Sequence, residues 1–385
     1  MGNISKIAVV VVGYNRKESL HRLISSIQKA EFYNDYVDLI ISLDKSDIEN
    51  EMIEMADYIE WKHGEKIVRT FTERQGLKQH ILQCGDLTEK YDAVIVLEDD
   101  LIVSKGFYSY VKQCLDYYRD DDRVAGISLY SFQVSPGIFR PFQPACAGDD
   151  VFFLRFAQSW GQCWTRKMWR GFKDWYLSQV GSLKSDGVMP DYISRWNDKS
   201  WLKYYMKYTA ERELYFVYPY ISLTTNFTEP GEHNSNSNAH FQVPLLMNSM
   251  KYRFPPKGTE IRYDAFMERI LSDDKTIPHL NGKVEIDLYG MKSKFDNVDY
   301  LISTKRRPFF VIDELGLSFR PHEENIILWN KGKGVFVYDL KQPTQNMPKV
   351  DKSIVMQYDL RAIGWRKVIC YGIREMLVAV KRKIR

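Results

Sequence analysis

The sequence predicts an α/β protein: a mostly parallel sheet flanked by helices, then a mixed second half and a C-terminal extension. Three observations carry this. Apolar, β-branched runs of strand length recur through the first 130 residues. Helix-period segments separate them. Glycine, polar or acidic residues follow directly on the runs, as in sheets that bind ligands beyond the carboxyl ends of their strands.

Residues 7–12 are continuously apolar, as in a strand buried on both faces. Residues 16–29 place Leu20, Leu23, Ile24 and Ile27 on one helical stripe. Strands are expected at 37–43, 67–71, 93–97 and 124–129, with helices at 51–62, 76–84 and 106–119 between them. Ser104 is expected to cap the last of these helices. This βαβ order implies parallel pairing with helices on both faces. From about 152 to 246 the pattern becomes short strands and aromatic helices around polar loops, with residues 226–241 a loop by composition. Further strands are expected at 309–312 and 334–338. The organisation read from this is 1–250 as one domain (halves 1–130 and 131–250), 251–364 as an extension and 365–385 as a basic amphipathic tail.

At 385 residues and 44% hydrophobic content, the chain can bury a sizeable core, which excludes wholesale disorder. The net charge of +4 is small, and its basic residues are interspersed with acids, so nucleic acid is not an expected partner. Five cysteines at irregular spacing form no metal motif and fit a reducing compartment. With no signal-peptide layout and no bilayer-length apolar run, the expected location is the cytoplasm, peripheral to the inner face of the membrane, unless an anchor has been trimmed away. Aromatic residues, 14% of the chain, either fill the core or offer flat faces to sugar rings.

The most informative motif is VIVLEDDLIVSKGF at 94–107. An apolar strand ends in Glu98, Asp99 and Asp100. Three adjoining carboxylates repel one another, and a hard divalent cation, Mn²⁺ or Mg²⁺, would relieve the repulsion. Such an ion would bridge to a diphosphate and stabilise negative charge on a departing nucleotide. An acidic turn ahead of a helix is the plain structural alternative. The exits of the other strands suggest a nucleotide pocket. Gly13 permits close backbone approach, Tyr14 offers a ring to a base, Asn15 a hydrogen bond and Arg16 a charge for phosphate. Asp44 offers acceptors to a base or ribose, Arg74 a charge for diphosphate, and Gly76 close packing. Each also has an ordinary reading as turn, cap or surface charge.

VLEDDLIVSKGF resembles the modified DxD motif of GT-A glycosyltransferases. It is similar to the EDDL segment of the N-acetylglucosaminyltransferases of N-glycan branching, and to family-2-like bacterial transferases of surface polysaccharide assembly. AVVVVGYNR (8–16), IISLD (40–44) and ERQGLKQHI (73–81) resemble the nucleotide-binding start of that fold, in order, over roughly the first 240 residues. The resemblance implies a nucleotide-sugar donor, UDP-linked first of all, with Glu98 and Asp99 toward the donor and Asp100 on the metal. SWGQCWTRKMW (159–169) resembles the segment lining the sugar site and implies roles for Trp160 and Gly161. RWNDKSWLKYY (195–205) resembles the helix start that bears the catalytic acid, which falls on Asp198, with Asp191 a rival. TTNFTEPGEH (224–233) resembles a loop whose His233 would complete the metal shell or hold diphosphate.

An acceptor hydroxyl needs a base, and a partly desolvated carboxylate can take its proton as attack proceeds. Attack opposite the leaving group inverts the anomeric centre. After Asp198 and Asp191, the next candidates are Asp149, Asp150, Glu229 and Glu232. The expected acceptor is a saccharide or a lipid-linked glycan. The tail carries seven basic residues against one acid among apolar ones, and either lies on an anionic membrane or packs on the body. Two other functions compete. A sugar nucleotidyltransferase would need a Gly-rich basic loop after the first strand, which AVVVVGYNRKES lacks. A non-catalytic carbohydrate- or nucleotide-binding protein would keep the fold without turnover.

Overall fold

The computed structural model describes residues 6–227, 240–271, 277 and 279–384. Strand β1 (Ile7–Gly13) is buried along its whole length. Its neighbours explain why. It pairs in parallel with β2 (Val37–Leu43) on one side and with β4 (Ala93–Glu98) on the other, and β2 pairs in parallel with β3 (Lys66–Arg69). A strand flanked on both edges and covered on both faces has no polar side to show, hence the unbroken apolar runs. The intervening helices are α1 (Lys17–Gln28), α2 (Glu49–Asp57) and α3 (Gly76–Gly85), followed by a short 3₁₀ turn over Asp86–Glu89. The α1 stripe buries Leu20, Leu23, Ile24 and Ile27 as its periodicity requires.

Beyond β4 the order departs from a simple parallel series. After β5 (Leu101–Val103) and α4 (Phe107–Tyr118) comes β6 (Val124–Ser128), which does not pair with β4. Hairpin strands β7 (Val134–Ser135) and β8 (Arg140–Pro141) follow, then β9 (Val151–Leu154) and β10 (Gln162–Thr165). Strand β10 lies antiparallel between β4 and β6. Helices α5 (Arg166–Ser178), α6 (Asp191–Ser194) and α7 (Trp201–Glu211) lead to β11 (Tyr215–Pro219), β12 (Thr224–Asn226) and β13 (Arg262–Tyr263). The nine-stranded order is β13-β9-β11-β6-β10-β4-β1-β2-β3. A separate two-stranded sheet joins β5 to β12.

The expected cap at Ser104 is corrected. Gly106 occupies the N-cap position of α4, and the buried Ser104 Oγ instead accepts from the Gly106 N–H at 3.0 Å. The bend needed to turn from β5 into α4 takes two more residues than a directly capped start.

The chain forms two compact units, Met1–Ile270 with Met291–Lys294, and Leu271–Gly290 with Phe295–Arg385. The second contains a four-stranded sheet in the order β14-β15-β17-β16: β14 (Val284–Asp287), β15 (Tyr300–Ser303), β16 (Phe309–Gly316) and β17 (Gly334–Pro343). Ile286, Ile302, Leu315, Val335 and Val337 form one apolar cluster of this unit, and Leu301, Phe336 and Tyr338 another. Its helices are α8 (Glu324–Ile327), α9 (Lys352–Leu360) and α10 (Trp365–Ile384).

Ile95 is fully buried, paired with Val9 of β1 and Cys163 of β10. Ile95→Ala should therefore cost ~2–5 kcal/mol in urea unfolding, the usual loss for such a cavity. A loss below about 1 kcal/mol would contradict the central position of β4.

Candidate functional site

In the main sheet β2 and β3 lie to one side of β1 and β4 to the other. The two strands run parallel, and it is the order of strand placement that reverses between β1 and β4; such a switch point is where open α/β sheets bind ligands. The register aligns Val12 with Glu98, so the loop after β1 and the acids after β4 leave the sheet together. Arg16 spans the gap. Its guanidinium pairs with Asp99 and, at 3.4 Å, with Asp100. The Tyr14 backbone N–H also donates to the Asp99 carboxylate. Asp99 is consequently 4% exposed and held by the protein itself.

One arginine faces three carboxyl groups. Glu98 Oε1 and Asp100 Oδ1 are buried atoms with no hydrogen-bond partner. Burial pushes the Glu98 carboxyl well above the usual carboxylate range, with Asp100 and Asp99 adding to the rise and Arg16 opposing it. Burial likewise pushes Asp99 up to about 6, against the pull of Arg16. Unpaired buried carboxylate oxygens are costly, and a divalent cation fits them. Among the described residues no three His, Cys, Asp or Glu side chains converge as a ready-made metal cage. The donor set therefore suits an ion held by one or two carboxylates and completed by phosphate oxygens, the usual habit of Mg²⁺.

Gly13 and Asp44 also have framework roles. A Cβ on Gly13 would press on Leu20 and Leu43, each at 3.1 Å, so this glycine serves packing between β1, α1 and β2. Asp44 is buried, and its carboxylate accepts from the backbone N–H groups of Lys45 (2.9 Å), Gln75 (2.7 Å) and Gly76 (2.8 Å). It ties the end of β2 to the start of α3. Gly76 sits at φ +72°, a left-handed conformation that a side chain would strain. The Arg74 guanidinium lies over the Tyr14 ring, 4.6 Å from its centroid, and Asn15 is exposed beside it in sequence. Tyr14, Arg16, Arg74 and the acidic strand end are thus linked by direct contacts.

Trp160 and Gly161 enter β10 beside the end of β4. A Cβ on Gly161 would meet Thr224 and Leu97. The Trp160 ring packs on Tyr130 and stacks on Phe241, at centroid distances of 4.7 and 5.0 Å. Three polar residues escaped the sequence reading. Gln158 holds the turn, accepting from the Trp160 N–H and donating to the Gly161 carbonyl at 2.6 Å. Gln162 has both side-chain amide atoms buried and unpartnered, as has Asn226 its Oδ1. Asn226 is brought to the acids by β12, which pairs it with Leu101, while the Phe227 N–H donates to the Asp100 carbonyl at 2.8 Å. The apolar Leu-Ile-Val after the acids was the available signal for this small sheet.

His233, Glu229 and Glu232 lie outside the described residues. Asp198 has 46% of its side chain exposed and accepts from the buried Lys203 Nζ at 2.7 Å. Lys203 and then Ser182 hold its carboxyl below the usual range. Ser200, not Asp198, caps α7. Asp191 is exposed and accepts from Ser185 Oγ at 2.5 Å, and Asp150 pairs with Arg253. No hydrogen bond or ion pair among the described residues joins Asp198 or Asp191 to the acids after β4.

No family model and no curated protein sequence matches this chain. Several solved structures overlap it in part. Staphylococcus aureus TarS residues 1–349 in complex with UDP-GlcNAc aligns at 13% identity and TM-score 0.39, covering 60% of each chain. The Pyrobaculum calidifontis mannosyltransferase PcManGT with GDP-Man and Mn²⁺ aligns at 11% and 0.32, covering 49% of this chain and 50% of that one. GalNAc-T7 with UDP, GalNAc and Mn²⁺ aligns at 12% and 0.38, covering 57% and 43%. The chain thus spans about 60% of the TarS fragment's length.

The raised Asp99 carboxyl has a consequence for stability. Folding favours its protonated form, so its contribution is fully present below its ordinary value near 4 and is lost as pH rises through about 6. A shift of about two units corresponds to ~3 kcal/mol at most. In EDTA, the Tm of Asp99→Asn relative to the natural chain should therefore climb between pH 4 and pH 7. A relative Tm that falls with pH would reverse the sign assigned to this site.

Proposed function

We propose that this chain is a metal-assisted glycosyltransferase that moves a sugar from a nucleotide-sugar donor to a hydroxyl acceptor. The observation that carries the reading is the pair of unpartnered buried carboxylate oxygens, Glu98 Oε1 and Asp100 Oδ1, at the strand switch point. Buried carboxyl oxygens of that kind at a strand switch point suit a cation with its own anionic partner, and a diphosphate fits that part. The sequence resemblance of EDDL and GYNR to GT-A enzymes supports the same reading.

In this scheme Asp100 and Glu98 would hold Mn²⁺ or Mg²⁺, which would stabilise charge on the leaving nucleoside diphosphate. Asp99 anchors Arg16, so its part is to fix that guanidinium beside the phosphates rather than to bind the donor itself. Tyr14, backed by Arg74, presents a ring for the base, and uridine donors are the first to test. Trp160, on its aromatic support, lines the sugar side. The acceptor hydroxyl attacks the anomeric carbon as the bond to the diphosphate oxygen breaks. Its proton passes to a carboxylate of the second half, Asp198 or its rival Asp191, and the configuration inverts. A saccharide or lipid-linked glycan is the proposed acceptor.

A donor screen read by mass spectrometry tests the activity. EDTA should abolish transfer and Mn²⁺ or Mg²⁺ should restore it. Asp100→Ala should remain folded, lose Mn²⁺ binding by calorimetry and lose transfer. Full transfer in EDTA rejects the metal role.

Asp198→Asn should lower turnover by roughly 10²–10⁴-fold, the usual worth of general acid–base catalysis, with nucleotide affinity unchanged. Asp191→Asn should be mild. The opposite ranking moves the role to Asp191, and lost nucleotide binding in Asp198→Asn removes that residue from the acceptor side.

A further inference from the structure

The last helix presents an apolar stripe to solvent. Along α10, Trp365, Ile369, Ile373, Met376 and Val380 recur at spacings of four, four, three and four. At about 100° per residue they share an arc of roughly 80°. All five are exposed, from 50% at Val380 to 68% at Trp365, and Leu377 beside them is 55% exposed. Exposing one such residue is ordinary, whereas aligning five on one side of a helix is not. Lys367 and Arg374, seven apart, occupy the opposite side. The sequence after Val380 adds Lys381, Arg382, Lys383 and Arg385.

We infer that α10 is a membrane-surface helix that docks this chain on an anionic phospholipid bilayer. The charge pattern selects the occupant. Seven basic residues against the single acid Glu375 complement an anionic surface. A second copy of the helix would bring like charges together. An apolar face that includes Trp365, with Lys367 and Arg374 opposite, is the arrangement of helices that lie in the interface plane. No helix among the described residues is long and apolar enough to cross a membrane, so α10 would lie on the bilayer rather than span it. Over twenty residues it offers about 30 Å of contact. The inference is independent of the transferase reading and stands or falls on binding alone.

Vesicle flotation of the full chain tests it, with phosphatidylcholine alone or mixed with phosphatidylglycerol. The chain should float with the anionic vesicles only and be released by high salt. Ile369→Asp with Ile373→Asp should abolish flotation. Lys367→Gln with Arg374→Gln should weaken partition about tenfold or more, two charges being removed from the surface. Urea-unfolding midpoints should stay unchanged, because the stripe covers nothing. Absent flotation, equal binding to neutral vesicles, or a concentration-dependent dimer that the aspartate pair dissolves would each overturn the inference. So would a lowered unfolding midpoint in the aspartate pair, which would place the stripe against the body of the protein.

Discussion

The charge left standing at the end of β4 is the constraint around which the rest of the first unit is arranged. Five apolar, fully buried residues, Ala93–Leu97, deliver Glu98, Asp99 and Asp100 to one point. Arg16 can neutralise only part of that charge, and its geometry commits it to Asp99 and Asp100. Glu98 is left with its carboxyl displaced upward by burial and by its two neighbours. A fold does not keep such an arrangement for stability, since an apolar replacement would avoid the desolvation altogether. It makes sense as a site waiting for countercharge.

Several features of the framework serve to hold that point still. Strand β10, inserted antiparallel between β4 and β6, brings Trp160 and Gly161 beside the acids. The β5–β12 pair fastens Asn226 and Phe227 to the chain just past Asp100. Asp44 ties the exit of β2 to the start of α3 through the backbone N–H groups of Gln75 and Gly76, next in the chain to Arg74, whose guanidinium lies over Tyr14. Short backbone-anchored loops on a rigid sheet give a site better positional definition than free loops would.

Within the proposed chemistry the two sides differ in kind. The donor side is built from buried, closely spaced carboxyl groups. The acceptor-side candidates are exposed carboxylates already matched with a cation or a hydroxyl, Asp198 with Lys203 and Asp191 with Ser185. A carboxylate held below its usual range stays ionised at neutral pH, which readies it to accept a proton but lowers the driving force for doing so. An acceptor that displaced Lys203 would raise its basicity at the moment of need.

The apolar runs and helical stripes were enough by themselves to place the strands β1, β2 and β4, the helices between them and the acidic strand end, because burial on both faces leaves a local signature; β3, at the sheet edge with Ile67 exposed, left only a short apolar run. The amphipathic pattern of α10 was legible from its spacing alone, although its apolar stripe is exposed. Other features came from contacts between residues far apart in the chain. Nothing local in Gln162–Thr165 says that this strand enters antiparallel between β4 and β6. Nothing local distinguishes Asp44 as a tie to Gln75 and Gly76 from Asp44 as a ligand for a nucleoside. Asp99 and Asp100 are neighbours in sequence with similar chemistry, yet Asp99 is enclosed by Arg16 and Tyr14 while Asp100 keeps an unpartnered oxygen. Periodicity encodes which faces are buried, but the pairing of a charge depends on which other charge the finished fold brings within reach.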